Sequence, residues 1–170
     1  MPEIRPVRPD DLHGVFAIYD EQALHGTATF DTEPVTPEER RAWFEAHQTE
    51  RHPAFVAIDP GFHANDSVLG WSSLSQWSDR CAYARAAEVS VYVHADARGR
   101  GIGRGLLDRL IEHAPAHGVF VLLARIAEGN PASLRLHASA GFETVGVMRG
   151  VGCKFGRVLD VTLMQKSLDA

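Results

Sequence analysis

The stretch Arg98-Gly99-Arg100-Gly101-Ile102-Gly103 decides the fold, because it joins a strand-like segment, Ala86–Val93, to a helix-like segment, Ile102–His113. Glycine adopts the positive φ angles of a tight turn and lets a ligand approach the main chain closely. The amides of such a turn, with a helix N-terminus directly behind them, form an anion site suited to a phosphate or pyrophosphate. Arg98 and Arg100 can add charge-assisted hydrogen bonds. The alternative interpretation is a mobile turn that carries two solvated arginines.

Two well-known phosphate-binding loops do not fit this sequence. The chain contains no G-x-x-x-x-G-K-[ST] stretch, which argues against a P-loop nucleotidase. The dinucleotide pattern G-x-G-x-x-G does not follow the first strand with an acidic residue about 20 positions later, which argues against a Rossmann domain.

The composition of the 170-residue chain, with 45% hydrophobic and 23% charged residues, predicts one globular domain over residues 1–170. Seventeen basic against 22 acidic residues give a net charge of −5, which disfavours a nucleic-acid partner. No apolar run approaches the roughly 20 residues that span a membrane, and the N-terminus lacks the apolar stretch of a secretory signal. Two cysteines, Cys81 and Cys153, are too few for a disulfide framework, so we expect a cytoplasmic setting. No His, Cys, Asp or Glu residues have convincing metal-ligand spacing, so no metal is expected.

Hydrophobic periodicity predicts an α/β fold with a mixed sheet. Helices are predicted from Asp10, from Pro37 (with Thr36 and Glu39 as a capping box), over Ile102–His113 and over Pro131–Ala140. The predicted strands are Ile4–Val7, Ala54–Ile58, Val68–Leu74, Ala86–Val93, Val119–Ala124, Thr144–Met148 and Val158–Met164, with a turn at His63-Ala64-Asn65-Asp66. The strand–helix–strand order in the centre implies a parallel pair with a right-handed crossover.

A second group of residues follows the glycine turn at helical spacing. Asn130, Ser133, His137 and Gly141 are three, four and four residues apart, so they share one helix face. Together with Arg-x-x-Gly-x-Gly after a strand, this pattern resembles the GNAT superfamily of acyl-CoA-dependent acyltransferases.

A narrower resemblance is to the phosphinothricin N-acetyltransferase group, which includes acetyltransferases of methionine sulfoximine and methionine sulfone. The segments that carry it are Gly70-Trp71, Arg80-Cys81-Ala82-Tyr83, Glu88-Val89-Ser90-Val91-Tyr92-Val93 and Gly156-Arg157-Val158-Leu159-Asp160-Val161. Two positions depart from the group, since Ala86 replaces its usual threonine and Val158 its usual tryptophan.

The resemblance implies a GNAT-type, partly split central sheet flanked by helices. It also implies direct transfer of an acetyl group from acetyl-CoA to the amine of a small amino acid or analogue such as phosphinothricin, methionine sulfoximine or methionine sulfone. An enzyme of the same fold acting on another amine (a polyamine, a drug or a protein N-terminus) and a non-catalytic acyl-CoA-binding module are the alternatives. Members of the family often form homodimers.

Glu88 is the predicted catalytic carboxylate. Acetyl transfer requires a neutral amine, whereas a free α-amine with a pKa of about 8 is mostly protonated near neutral pH. Glu88 lies on the strand before the glycine turn, among apolar and small residues. A carboxylate taken partly out of water there binds a proton more readily, and could accept one directly or through water. The alternative is a strand-edge glutamate paired with Arg80 or Arg85.

His137 is the second predicted catalytic residue. The superfamily usually places a tyrosine there to protonate the leaving sulfur, and the phosphinothricin group places a histidine. A leaving thiolate, whose thiol has a pKa of about 8.5, benefits from a proton donor, and an imidazolium can serve. His137 could instead act as the base with Glu88 as its partner, and the sequence leaves both roles open.

The resemblance also implies which residues hold acetyl-CoA. In the superfamily, main-chain amides of the preceding strand hold the acetyl carbonyl, the glycine turn binds the pyrophosphate, and an asparagine contacts the pantetheine arm. The corresponding residues are Val91, Tyr92, Val93, Arg98, Gly99, Arg100, Gly101, Ile102, Gly103, Asn130 and Ser133. Asn130 is also a suitable helix N-cap before Pro131.

The acceptor pocket is predicted on the opposite side of the cofactor. Arg80 could pair with a substrate carboxylate, Glu33 could favour an ammonium group, and Lys154 matches a family lysine near the pocket, with a solvated lysine as the alternative. Trp71 is interpreted as a core residue. The residues assigned to this pocket are Phe30, Glu33, Trp77, Arg80, Tyr83 and Lys154.

Overall fold

The structure is a computed structural model that describes residues 2–62 and 67–169. In chain order its elements are β1 (Glu3–Pro6), α1 (Leu12–His25), α2 (Pro37–Ala46), β2 (Ala54–Ile58), β3 (Val68–Gln76), β4 (Ala86–Val93), α3 (Ile102–His113), β5 (Val121–Ala127), α4 (Pro131–Ser139), β6 (Glu143–Lys154) and β7 (Arg157–Ser167). The turn predicted at His63-Ala64-Asn65-Asp66 lies outside the described residues. No helix within the described ranges is long and apolar enough to cross a membrane.

All seven strands belong to one open sheet with the order β1-β2-β3-β4-β5-β7-β6. β4 and β5 are parallel, and every other pair of neighbours is antiparallel. The parallel pair is connected through α3, as the order of predicted elements requires. The predicted class, a mixed sheet flanked by helices, is confirmed.

Helices cover both faces of the sheet. In β2, Ala54 and Val56 pack with residues of α1 and α2, whereas Phe55 and Ala57 pack with residues of α3 and α4. Alternate residues of a strand point to opposite faces, so β2 is buried on both sides. The capping box predicted for α2 is present, since the Glu39 amide donates to Thr36 Oγ1 at 3.3 Å and the carboxylate accepts from the Thr36 amide at 2.8 Å.

The predicted boundaries of the last three strands are wrong. Val119 is fully buried, but its amide donates to the carbonyl of Ala114 and closes a turn after α3. Its apolar side chain therefore reflects core packing, and β5 begins two residues later. The last two strands are longer than predicted because β6 and β7 stay paired through two register irregularities, at Thr144/Gly146 and at Met148/Gly152.

Candidate active site

The site begins where β4 and β5 separate. Their parallel pairing covers only Ala86–Glu88 opposite Val121–Leu123, although β4 continues to Val93 and β5 to Ala127. Beyond Glu88, the edge of β4 that faces β5 is therefore not paired with any strand of the described residues. A cavity of about 1060 Å³ is lined by both diverging strands, by β3, by α4 and by the loop of residues 27–36.

Glu88 lies at the point of separation and lines the cavity, but it is not an isolated carboxylate. Arg125 on β5 donates to it through two bonds, Nε to Oε1 at 2.6 Å and Nη2 to Oε2 at 2.5 Å. Its partner is thus neither Arg80 nor Arg85, the two arginines considered from the sequence. Each carboxylate oxygen accepts one bond from Arg125, so release from this pair leaves more of the lone pairs of Glu88 available for a substrate proton.

His137 enters the cavity from α4 with a defined tautomer. Its Nδ1 is 2.9 Å from the carbonyl oxygen of Ser133, which only accepts hydrogen bonds, so Nδ1 carries the proton. The side chain is 4% exposed, and Nε2 has no hydrogen-bond partner among the described residues. Burial lowers the pKa of His137 from 6.5, although the bond to Ser133 opposes the shift. The side chain is therefore a neutral imidazole with a free lone pair on Nε2.

Asn130 and Ser133 line the cavity together with His137. Asn130 Oδ1 accepts from the Ser133 amide at 3.1 Å, so Asn130 caps the N-terminus of α4 as predicted. The spacing of these residues on one helix face thus brings three of the predicted site residues together.

An aromatic cluster also lines the cavity. Trp71 stacks on Tyr92 with ring centroids 4.7 Å apart and meets Trp43 edge-on at 5.3 Å. Trp71 is buried in the core, as predicted, but it also lines the cavity, and its Nε1 has no hydrogen-bond partner in the described part of the chain. The Tyr92 hydroxyl donates to the carbonyl of Ala28 and attaches the 27–36 loop to β4.

The glycine turn has the geometry of an anion site. Gly99 and Gly101 have φ values of 73° and 79°, and a Cβ at either position would meet nothing within 4 Å. α3 has no side-chain cap, and its first helical bond runs from the Gly105 amide to the Gly101 carbonyl, so the amides before Gly105 have no helical partner. Gly103 packs near Val93, which places the turn at the end of β4.

The two arginines of the turn are held by neighbouring groups. Arg98 Nε donates to the carbonyl of Val93 at 3.4 Å, and Arg100 lies 3.8 Å from the carboxylate of Asp59. Both side chains are exposed next to the uncapped helix. The turn and Val93 lie outside the lining of the cavity, whereas Val91 and Tyr92 belong to it.

Predicted acceptor residues divide into two groups. Phe30 and Glu33 line the cavity from the 27–36 loop. Trp77, Arg80 and Tyr83 follow β3 and do not line it, and Arg80 and Tyr83 are exposed. Trp77 nevertheless reaches the site indirectly, since its ring lies 5.7 Å from the guanidinium carbon of Arg125, the residue that binds Glu88.

Lys154 is a buried structural residue at the end of β6. It is 2% exposed, and Nζ donates to the carbonyls of Gln22 at 2.9 Å and Thr29 at 2.8 Å. Burial lowers its pKa, and the charge of Asp31 opposes this shift. The alternative of a solvated lysine is wrong, because Lys154 attaches the wall of the cavity to β6.

Nearly the whole chain is similar to known proteins. Residues 3–143 match the family model described as an acetyltransferase (GNAT) domain. The chain belongs to the GNAT acetyltransferase family. Over 166 residues it is 43% identical to the L-methionine sulfoximine/L-methionine sulfone acetyltransferase of Pseudomonas paraeruginosa, covering 98% of this chain and 94% of the relative. Over 167 residues it is 39% identical to the phosphinothricin N-acetyltransferase of Streptomyces coelicolor, covering 98% and 96%.

The fold of this GNAT enzyme also matches a solved structure. The protein yncA of Salmonella typhimurium, solved with its cofactor acetyl-CoA, superposes with a TM-score of 0.92 at 38% identity, covering 100% of this chain and 95% of that one. The predicted family, the enzyme class and acetyl-CoA as co-substrate are thereby confirmed. The split sheet, the uncapped glycine turn and the unpartnered Nε2 of His137 fit such a co-substrate.

Proposed function

We propose that this GNAT enzyme acetylates the amino group of a small amino acid or analogue, in the class of methionine sulfoximine, methionine sulfone and phosphinothricin. The observation that carries the proposal is one cavity that holds a carboxylate, a guanidinium and a neutral imidazole beside the split in the sheet: Glu88, Arg125 and His137. The names of relatives with 43% and 39% identity support this class of acceptor.

Acetyl-CoA supplies a thioester, whose acetyl group passes directly to the amine. The two cysteines, Cys81 and Cys153, do not line the cavity, which supports transfer without an acyl-cysteine. Glu88 accepts the proton that converts the ammonium group to an amine. Nε2 of His137 accepts the second proton as the amine reacts, and the resulting imidazolium is the donor for the departing sulfur.

The residues proposed to hold acetyl-CoA lie along the separated edge of β4 and at the start of α3. The unpaired edge of β4 supports a role for the amides of Val91, Tyr92 and Val93 toward the acetyl carbonyl. The uncapped turn from Arg98 to Gly103 supports a role toward the pyrophosphate. Asn130 and Ser133 are proposed to face the pantetheine arm, since both line the cavity.

A thiol-release assay with acetyl-CoA and a panel of acceptors tests this proposal. We expect thiol release with methionine sulfone, methionine sulfoximine or phosphinothricin, and little with polyamines or peptide N-termini. Faster release with a polyamine or a peptide would contradict the acceptor class. Binding of acetyl-CoA without thiol release from any acceptor would indicate a non-catalytic binding module.

We also propose that two copies of the chain associate through the hairpin of β6 and β7. β6 is an edge strand, and the hairpin exposes Val145, Val147, Val151, Phe155 and Val158. A group of exposed apolar side chains on a sheet edge is typical of a surface that another chain covers. We propose that a second copy of this chain covers it, in agreement with the dimers expected from the family resemblance.

Val158→Asp is expected to shift the protein from dimer to monomer in light scattering coupled to size exclusion, because Val158 is 68% exposed close to the turn of this hairpin. Leu24→Asp is the matched control, since Leu24 is an exposed apolar residue on α1. A wild-type protein that is monomeric at high concentration would contradict the proposed dimer.

A further inference from the structure

Arg125 lines the cavity, but neither the sequence pattern nor the family resemblance assigns it a role in binding or catalysis. The acidic residues that line the cavity are Asp31, Glu33, Glu39 and Glu88. Among the described residues of that lining, Arg125 is the one with a permanent positive charge. Its side chain is 54% exposed, whereas that of its partner Glu88 is 18% exposed. The guanidinium therefore lies at the open side of the pair, where a ligand reaches it first.

The surroundings of Arg125 orient its guanidinium toward a carboxylate. Nε and Nη2 already hold the two oxygens of Glu88 in the fork geometry that suits such a group. The ring of Trp77 lies 5.7 Å from the guanidinium carbon and restricts where the group can move. The pair thus displays a carboxylate-binding site that is occupied by the enzyme's own carboxylate.

We propose that Arg125 binds the α-carboxylate of the acceptor in exchange for Glu88, an inference that rests on the proposed acetylation of amino acids. An amino-acid zwitterion carries the same two charges as the Glu88–Arg125 pair. Its carboxylate replaces Glu88 on the guanidinium, and its ammonium group becomes the new partner of Glu88. One ion pair is replaced by two, so no charge in the cavity loses its partner.

This exchange explains how binding of the acceptor makes Glu88 available to take the ammonium proton. Without an acceptor, both of its oxygens are bound to Arg125. Arrival of the acceptor carboxylate frees them beside the ammonium group whose proton has to be removed. An amine without a carboxylate does not compete for Arg125, and therefore leaves Glu88 engaged. The selectivity for amino acids follows from the pair itself.

Arg80, the arginine first expected to bind the carboxylate, has a different position. It is exposed, precedes a short turn of 3-10 helix at Cys81–Tyr83, and does not line the cavity. Substitution of Arg125 is therefore expected to weaken recognition of the acceptor carboxylate, whereas substitution of Arg80 is expected to leave it unchanged.

The test compares kcat/KM for L-methionine sulfone and for its carboxamide, which has the same amine but no carboxylate. In Arg125→Met, the ratio of acid to amide is expected to fall by about 10- to 100-fold, the size expected for loss of a charge-assisted hydrogen bond. The KM for acetyl-CoA is expected to stay unchanged. Arg125→Lys keeps the charge but not the forked pair of donors, so its acid-to-amide ratio is expected to lie between those of the wild type and Arg125→Met. This variant replaces Arg125→Met if the methionine variant does not fold.

Arg41→Met, at an exposed position of α2 outside the cavity lining, is the matched control and keeps the wild-type ratio. An equal loss for acid and amide would overturn the inference, because Arg125 would then only position Glu88. An unchanged acid-to-amide ratio in the Arg125 variants would also overturn the inference, as would a fall of that ratio in Arg80→Met instead. In either case, acetylation of methionine sulfone by the wild type would leave the proposed function standing. A wild-type protein inactive toward every amino acid would remove both.

Discussion

Glu88→Gln is expected to lower kcat by about 10²- to 10⁴-fold, the usual contribution of a positioned acid or base. Glutamine keeps the size of the side chain and can still accept a hydrogen bond from Arg125, but it cannot take a proton from the ammonium group. Because the glycine turn and α4 are untouched, the affinity for acetyl-CoA is expected to stay near that of the wild type. Thiol release at saturating acceptor measures the first quantity, and calorimetric titration measures the second.

Glu38→Gln is the control for the loss of one carboxylate, since Glu38 is exposed on α2 and does not line the cavity. That variant is expected to keep wild-type turnover. If Glu88→Gln also turns over at the wild-type rate, Glu88 has no part in moving the proton, and His137 would be the remaining candidate base.

His137→Asn is expected to lower kcat by about 10²-fold, at the lower end of the range for general acid–base groups. Asparagine retains an N–H donor near the position of Nδ1, so the bond to the Ser133 carbonyl can persist, but nothing replaces Nε2. His25→Asn, at an exposed position at the end of α1, is the control and is expected to behave as the wild type. A His137→Asn variant with unchanged kcat would show that the unpartnered Nε2 takes no part in the reaction.

The pH dependence of the wild type follows from the burial of the same imidazole. Burial lowers the pKa of His137 below 6.5, so the neutral form persists to a lower pH than in an exposed histidine. Activity that requires a lone pair on Nε2 is therefore expected to fall only as the pH drops through a value below 6.5. If the loss of activity begins well above this pH, the acidic limb of the pH–rate profile belongs to a group other than His137.

Most of the fold follows from local patterns in the sequence. The apolar periodicity of α3, the capping box at Thr36 and the glycine turn each specify their element through interactions between near neighbours. The boundaries of β5 do not follow in this way, because Val119 is apolar for packing at the end of a turn. The length of β6 depends on pairing with β7, which compensates for three glycines that weaken a strand taken alone.

The candidate site was predictable where its residues share one element. His137, Ser133 and Asn130 share a helix face, and Glu88 lies on the strand before the glycine turn. Arg125 was missed because the predicted strand ended at Ala124, one residue earlier. Its signal was a single charge in an apolar strand: once Glu88 pairs in parallel with Leu123, Arg125 lies two residues further on and reaches it diagonally. The positions of Arg80 and Lys154 depend on how distant segments meet, which no local pattern reports.

Calorimetric titration with coenzyme A, and separately with pantetheine, tests most directly whether the turn from Arg98 to Gly103 holds the diphosphate at the split in the sheet. We predict a clear heat of binding for coenzyme A. The affinity for pantetheine is expected to be lower by about 100-fold or more, because pantetheine has no diphosphate to accept hydrogen bonds from the amides of the turn. Equal affinities for the two ligands, or no heat with coenzyme A added to the folded protein, would contradict the assignment.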